Sequence, residues 1–435
     1  MVMSIERNKP ITHSRRGDLL FGPDLKRSEE ERTADLYYFD LQRVAKKEGL
    51  NTFDIDDEVS KRLEVIEKRL NIKEMRKGLP VRVRESANST VKVAGAFYSE
   101  FIKPWVATGN DAYKPTEEDI THFCERAANG IGVNLVQYYA LSKTQSPSRT
   151  GSPDTKIDYA EFEMLRYQAV MGRVAKEIGL NINFTIVDET DILPEDPYLG
   201  FNNSDSKVNR LIATRYLEEQ GVSDRIRIRS LRDSIALPIG DEFHAAYEDQ
   251  LILSKDKTAG LLKEPRQNNA LMRRIYTLLD CIPDSGLIAQ GVDPDAIDYI
   301  RKSAMSGDFG SLPQETLQYL TGLTTHIDAM MALRGKAKQA VQEKGLTAEY
   351  PEYQDESRVY GGVTRSTHRW SFLPHPTKFM GRTVNPMHGI AGYGSNNDYV
   401  GNIPFNVLQE MQNAGEAQLV YLDNKPMLGR IRNNK

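Results

Sequence analysis

Between Val133 and Ser230 the chain alternates short apolar runs with longer amphipathic ones, and no other feature constrains its fold as tightly. Val133-Asn134-Leu135-Val136-Gln137-Tyr138-Tyr139-Ala140-Leu141 is short, apolar and aromatic, as a buried strand is. Ile182, Phe184 and Ile186 alternate with Asn183 and Thr185, and Ile226 and Ile228 head another alternating run. Between these runs, Phe162, Leu165, Ala169, Met171, Val174 and Ile178 recur at helical intervals up to a stop at Gly179. Val208, Leu211, Ile212 and Tyr216 share one face of a second helix. Strand, helix, strand, helix, strand pairs the strands in parallel through crossover helices, which predicts an α/β fold with a mostly parallel sheet. Such sheets bind ligands outside the carboxyl ends of their strands, where Lys143 and Asp188 both fall.

The remainder divides around this core. Residues 1–88 are polar and punctuated, with helical spacing at Val59, Leu63, Ile66 and Leu70, and are expected to form a helical N-terminal extension to a core spanning 89–254. Residues 255–345, including Leu271, Ile275 and Leu278, are expected to form a helical insertion. Residues 346–435 return to strands and loops that complete the core and site, with a turn at Asp423-Asn424-Lys425-Pro426 between Leu419-Val420-Tyr421 and Met427-Leu428.

At 435 residues, with 39% hydrophobic and 27% charged residues, the balance is that of a globular chain rather than a disordered or membrane one. No window approaches a spanning helix and the N-terminus carries no apolar run after its charges, so a cytoplasmic setting is expected. Cys124 and Cys281 are too few for a disulfide framework and lack zinc-site spacing, and both are expected to be buried and inert. A net charge of −4 argues against a large nucleic-acid footprint. The absence of a glycine-rich fingerprint after any strand removes the main support for a dinucleotide or ATP site.

Four clusters could carry chemistry. His368, His375 and His388, three of the seven histidines, alternate with Arg369, Lys378 and Arg382, a pattern suited to proton transfer beside an anion clamp. The alternative is a core strand built on Trp370, Phe372 and Phe379 with His368 and His375 hydrogen-bonded at its edges. Lys143 follows an apolar strand, where desolvation would favour a neutral amine or leave a cation for phosphate, against the plainer option of a solvated lysine. Asp158 and Glu161 open a helix, and capping is their simpler role. Asp188, Glu189 and Asp191 cluster after a buried strand, where like charges would raise one carboxyl and make a base, or else form a solvated turn. No HExxH or similar spacing supports a metal site.

Taken in order, four stretches resemble the isocyanide (isonitrile) synthase family, also called the pyoverdine/dityrosine biosynthesis type, over roughly residues 130–395. They are Ser142-Lys143-Thr144-Gln145-Ser146-Pro147; Asp158-Tyr159-Ala160-Glu161; Thr185-Ile186-Val187-Asp188, with the helix and Ile228-Arg229-Ser230-Leu231-Arg232-Asp233 after it; and Arg369-Trp370-Ser371-Phe372-Leu373-Pro374-His375-Pro376 with Asn385-Pro386-Met387-His388-Gly389. The resemblance implies a Rossmann-like core and an enzyme, a carbon–nitrogen bond-forming transferase or lyase, that joins the amino group of an aromatic amino acid to the ketone carbon of ribulose 5-phosphate and leaves an isonitrile. It implies no metal and no nucleotide cofactor. Lys143, Asp188, His375 and His388 would be catalytic, and Ser142, Glu161, Glu189, Arg369, Lys378 and Arg382 would bind substrate. The chain departs from the family pattern at Val187, Glu189 and Met387, where serine, glycine and tryptophan are usual. Two alternatives remain: an aminoacyl-tRNA-dependent transferase of cyclodipeptide-synthase type, touching RNA through Arg225, Arg227, Arg229 and Arg232, and a catalytically silent binding protein on the same fold.

Overall fold

The computed structural model describes residues 27–72, 78–105, 115–130, 132–139, 141–143, 149–188, 203–230, 248–254, 293–297, 359–361, 371–372 and 389–432, with a few isolated positions besides. The expected helical insertion at 255–345 lies almost wholly outside them.

Helices α1 (Glu29–Glu48), α2 (Asp56–Asn71), α3 (Val81–Arg84), α4 (Ser89–Phe97) and α5 (Glu117–Ala128) precede the first strand. Helix α1 starts at a capping box of Ser28 and Glu31, carries acid in its first turn and Lys46 and Lys47 in its last, and stops at Gly49 with φ of 67°. Its buried stripe is Ala34, Tyr38, Leu41, Val44 and Ala45. That stripe enters the same core as the α/β unit. The ring of Phe53 lies 5.5 Å from Tyr38 and 5.1 Å from Phe162, in the T-shaped and tilted geometries aromatic pairs favour. The N-terminal helices thus share the main core, and helical structure runs on to Ala128 before any strand.

The sheet anticipated from the alternation contains β1 (Val133–Tyr139), β2 (Ile182–Asp188) and β3 (Ile226–Ser230), joined by α6 (Tyr159–Glu177) and α7 (Asn203–Glu219). Two short strands, β4 (Val359–Gly361) and β5 (Ser371–Phe372), extend it in the order β3-β2-β1-β4-β5, and each pairing is parallel. Strand β2 is buried along almost its whole length, including Thr185 and Val187 at positions that alternation alone would leave polar or exposed. A parallel strand covered on both faces has no solvent side. Tyr139 pairs with Asp188 and Asp188 with Ser230, so the carboxyl ends of β1, β2 and β3 are nearly flush. Successive crossovers from β1 run one way to β3, whereas β4 lies on the other side of β1. The carboxyl end of β1 therefore borders the point where the winding reverses, the usual ligand crevice of open sheets.

The C-terminal stretch has two destinations. While β4 and β5 join the parallel sheet, β6 (Ile390–Tyr393), β7 (Tyr399–Ile403), helix α8 (Phe405–Asn413), β8 (Ala417–Leu422) and β9 (Lys425–Ile431) form a unit around a second sheet of order β7-β6-β9-β8. The turn expected near Asp423 is a two-residue hairpin loop in which Asp423 and Asn424 take φ of 47° and 67°, the left-handed pair that matches strand twist. A buried polar knot holds this sheet on α6: Tyr393 donates to Glu163 Oε1 at 2.7 Å, and Thr52 from the α1–α2 loop donates to the same oxygen at 2.8 Å. Helix α8 lies so close to β9 that a Cβ on Gly429 would sit 2.5 Å from Leu408 Cδ2. Gly429→Ala is therefore expected to cost about 1–3 kcal/mol by overpacking, read as a lower urea midpoint at unchanged slope. Among the described residues, no helix is long and apolar enough to cross a membrane.

Candidate functional site

Beyond Tyr139 the chain turns back over the carboxyl edge of the sheet. The Leu141 N–H donates to Asp188 Oδ1 at 3.0 Å, and the Lys143 N–H donates to the Thr155 carbonyl at 2.9 Å. The Ser142 hydroxyl also reaches the Thr155 carbonyl, at 3.3 Å. These bonds lay residues 141–143 against the loop that leads into α6. Asp158 caps that helix: its Oδ1 accepts from the Ala160 N–H at 2.8 Å, while Glu161 Oε2 accepts from the Asp158 N–H at 2.9 Å. The capping role expected from the sequence is thus present, and it points two carboxylates toward Lys143.

Lys143 is fully buried. Its Nζ lies 2.9 Å from Asp158 Oδ1 and 3.1 Å from Glu161 Oε2, and donates to the Gly389 carbonyl at 2.7 Å. Acceptors on several sides suit the three donors of an ammonium. Full burial and these partners exclude the solvated lysine that the sequence also allows. Glu161 is equally buried, and Oε1 has no hydrogen-bond partner among the described residues. Burial pushes its carboxyl up to about 7, with Asp158 adding to the rise and Lys143 opposing it.

Asp188, at the end of β2, is also fully buried. Its Oδ2 lies 3.1 Å from Arg210 Nη1 and 3.5 Å from the Ser206 hydroxyl. The like-charge environment expected from Glu189 and Asp191 falls outside the described residues, and the charge that meets Asp188 within them is a guanidinium. From the next turn of α7, the buried Asn209 accepts from the Ile157 N–H at 3.0 Å and donates to the Thr155 carbonyl at 3.1 Å. Thr155 in turn donates to Asp205. Four polar residues of α7 therefore support the site, Asp205 and Asn209 by clamping its loop and Ser206 and Arg210 by holding Asp188. Sequence reasoning passed over them, although their spacing, two i, i+4 pairs at the start of one helix, was the available signal.

A second cation was also missed. Lys425, at the tip of the β8–β9 hairpin, is buried and donates to the Lys156 carbonyl, with Asp154 Oδ1 3.4 Å away. Its ammonium and that of Lys156 each lie 5.7 Å from the centroid of the Tyr37 ring. Burial lowers Lys425 from the ordinary lysine value, whereas Asp154 stays below the carboxylate range because Lys425 and Lys156 outweigh its own burial. Burial and the nearby charges of Asp154, Asp158 and Glu161 hold the Tyr37 hydroxyl far above its usual range.

Lys143, Asp188, Ser142 and Glu161 are thus gathered at one edge of the sheet. His375, His388, Arg369, Lys378, Arg382 and Glu189 lie outside the described residues, as do His368, Asp191, Cys281 and Arg232. Cys124 is buried and its thiol is raised by that burial, as expected of an inert cysteine. Strand β3 is an edge strand with Arg227 exposed beside the buried Ile226, in keeping with a solvated face.

No family model matches the chain, and no curated protein matches it. Among solved structures there is a weak likeness to the PvcA protein from Pseudomonas aeruginosa, with 15% identity and a TM-score of 0.44 over 77% of this chain and 99% of that one.

Proposed function

We propose that this protein is an isonitrile synthase-like enzyme on a Rossmann-like core, which joins the amino group of an amino acid, aromatic by preference, to the ketone carbon of a pentulose phosphate such as ribulose 5-phosphate. One observation carries the proposal: Lys143, Asp158 with Glu161, Asp188 and Gly389, one or two described residues from each of the four stretches of the family resemblance, are joined by hydrogen bonds and ion pairs at one strand edge. Its ammonium touches Asp158 and Glu161 of the second stretch and, 246 residues away, the carbonyl of Gly389 in the fourth. The third stretch joins through Asp188, which accepts from the backbone just before Ser142. Crossovers by themselves bring the ends of β1 and β2 and the start of α6 to this edge. They do not require buried charges there, bonded to one another and to the Gly389 carbonyl, and a shared site gives those a reason.

The chemistry begins with a neutral substrate amine, since an ammonium has no lone pair with which to attack a ketone. Asp188 or one of His375 and His388 takes that proton. Arg369 holds phosphate or polarises the carbonyl as the amine adds and water leaves, and the buried Lys143, whose donors meet Asp158, Glu161 and the Gly389 carbonyl, adds positive charge behind it. Release of the isonitrile breaks both carbon–carbon bonds of the former ketone carbon: the C1 hydroxyl gives up its proton as C1 leaves as formaldehyde, and the second of His375 and His388 protonates the three-carbon phosphate fragment as it departs with the electron pair of its bond. Ser142, Glu161, Glu189, Lys378 and Arg382 complete the substrate contacts. Metal and nucleotide cofactors have no part in this scheme. Glu189 and Met387, which depart from the family pattern, bear on which amino acid is accepted.

Incubation of the purified protein with tyrosine, tryptophan and a panel of other amino acids, each with ribulose 5-phosphate, is expected to yield an isonitrile detectable by mass spectrometry. Absence of product across the panel would contradict the proposal.

A further inference from the structure

Lys425 belongs to no stretch of the resemblance, yet among the described residues it is, with Lys143, one of two buried lysines. A lysine at a hairpin tip normally extends its ammonium into water, because removing that charge from solvent is costly. Here the hairpin is driven tip-first into the molecule. The left-handed Asp423 and Asn424 tighten its loop to two residues, and Met427 and Leu428 immediately behind it are fully buried in the main core. The ammonium ends on the backbone of the segment 154–158, the one that presents Asp158 and Glu161 to Lys143.

We infer that Lys425 is a positioning residue of the site, through which the C-terminal hairpin fixes the placement and the charge balance of the Lys143–Asp158–Glu161 trio. The Lys156 carbonyl that it holds lies two residues before Asp158, so the hairpin anchors the backbone just ahead of the helix cap. It also sets a second positive charge beside that of Lys143, against two carboxylates of the trio. Among the described residues, the charged and titratable groups of this cluster are Lys143 from the loop after β1, Asp158 at the helix cap, Tyr37 from α1 and Lys425 from the hairpin beside Glu161, with Asp154 and Lys156 of the preceding loop beside Lys425. With Lys425 gone, Asp154 and Asp158 lose a neutralising neighbour and Glu161 loses a nearby positive charge, so Glu161 binds its proton more tightly. With Asp154 gone, the opposite follows. That Lys425 serves a catalytic site rests on the function proposed above, whereas its hold on the Glu161 proton does not.

The test uses the full-length protein. The infrared carbonyl stretch of a neutral carboxyl, assigned to Glu161 by its loss in Glu161→Gln, is followed from acid to alkaline pH in the wild type, in Lys425→Met and in Asp154→Asn. The midpoint is expected to move upward in Lys425→Met and downward in Asp154→Asn, each by roughly half a pH unit or more, as loss of one close charge at low effective dielectric requires. Lys425→Arg should restore the wild-type midpoint. Unchanged midpoints in both Lys425→Met and Asp154→Asn, or shifts of the same sign, would overturn the inference. If Lys425→Met does not fold, the half-exposed Asp154→Asn decides the matter alone, since an unmoved midpoint there is incompatible with a charge-balanced cluster. The pH profile of isonitrile formation should follow the same shifts. A wild type that makes no isonitrile but shows them would refute the function and leave the role of Lys425 standing.

Discussion

Lys143→Met is expected to destabilise the protein by about 3–5 kcal/mol at pH 8, the range seen when one member of a buried ion pair is removed. The side chain is fully buried, and its loss removes the cation facing the Asp158 and Glu161 carboxylates, which keep only their helix-cap N–H donors, and takes its donor from the Gly389 carbonyl. Methionine fills most of the volume, so the loss reports charge and hydrogen bonding rather than a cavity. The loss should shrink at pH 5, where Glu161 is neutral in either protein, and should be partly recovered in the double variant Lys143→Met/Glu161→Gln, which removes one stranded charge. Urea unfolding at the two pH values reads all of this. A loss below about 0.5 kcal/mol, the usual size for an exposed position, would mean that Lys143 is solvated.

Glu161→Gln carries the second large effect, and its sign changes with pH. The carboxyl rises from an ordinary 4.5 to about 7 on folding, first because it is buried and then because Asp158 is near, with Lys143 only partly compensating. Between those values the folded chain holds a proton that the unfolded chain has released. The stabilisation this provides is fully present below about 4.5 and is lost as pH rises through about 7, a swing on the order of 3 kcal/mol at about 1.4 kcal/mol per unit. Glutamine cannot titrate, so relative to the variant the wild type should be progressively destabilised from about pH 4.5 to about 7, with the difference level above that. Subtracting the two stability curves removes the contribution of the histidines, which titrate in the same window in both. Parallel curves would show that Glu161 titrates normally and that its environment is not the buried one described above.

The parallel sheet was legible because its strands and crossover helices follow different periods, 2 and 3.6, and because crossovers force the strand ends to one edge. That is how Lys143 and Asp188 could be placed at the same edge from the chain alone. The contact between Lys143 and Asp158 was not legible. Each was singled out separately, and their meeting depends on the loop after β1 folding back so that the Lys143 N–H reaches the Thr155 carbonyl, a tertiary bond with no local signature. Asn209 and Arg210 escaped notice because polar residues beside an apolar stripe read as a solvated helix face, although Asn209 is fully buried against the loop it clamps. Lys425 escaped for a related reason: lysine after Asp-Asn is ordinary turn chemistry, and only the packing of the hairpin onto Tyr37 and the Lys156 carbonyl buries it. In the N-terminal helices the apolar stripe was evident but not the surface that covers it. A stripe records that a helix is buried and is silent about its partner.

The central claim is that the groups gathered around Lys143 serve carbon–nitrogen bond formation between an amine and a pentulose phosphate. Its most direct test is a labelling experiment with tyrosine carrying heavy nitrogen and ribulose 5-phosphate carrying heavy carbon at its ketone. The expected product is an isonitrile in which the two heavy atoms are bonded to each other, seen as a coupled pair in the carbon spectrum and as the combined mass shift, and absent when Lys143→Met replaces the wild type. Folded wild-type protein that yields no doubly labelled isonitrile, with tyrosine or any other amino acid of the panel, would contradict it.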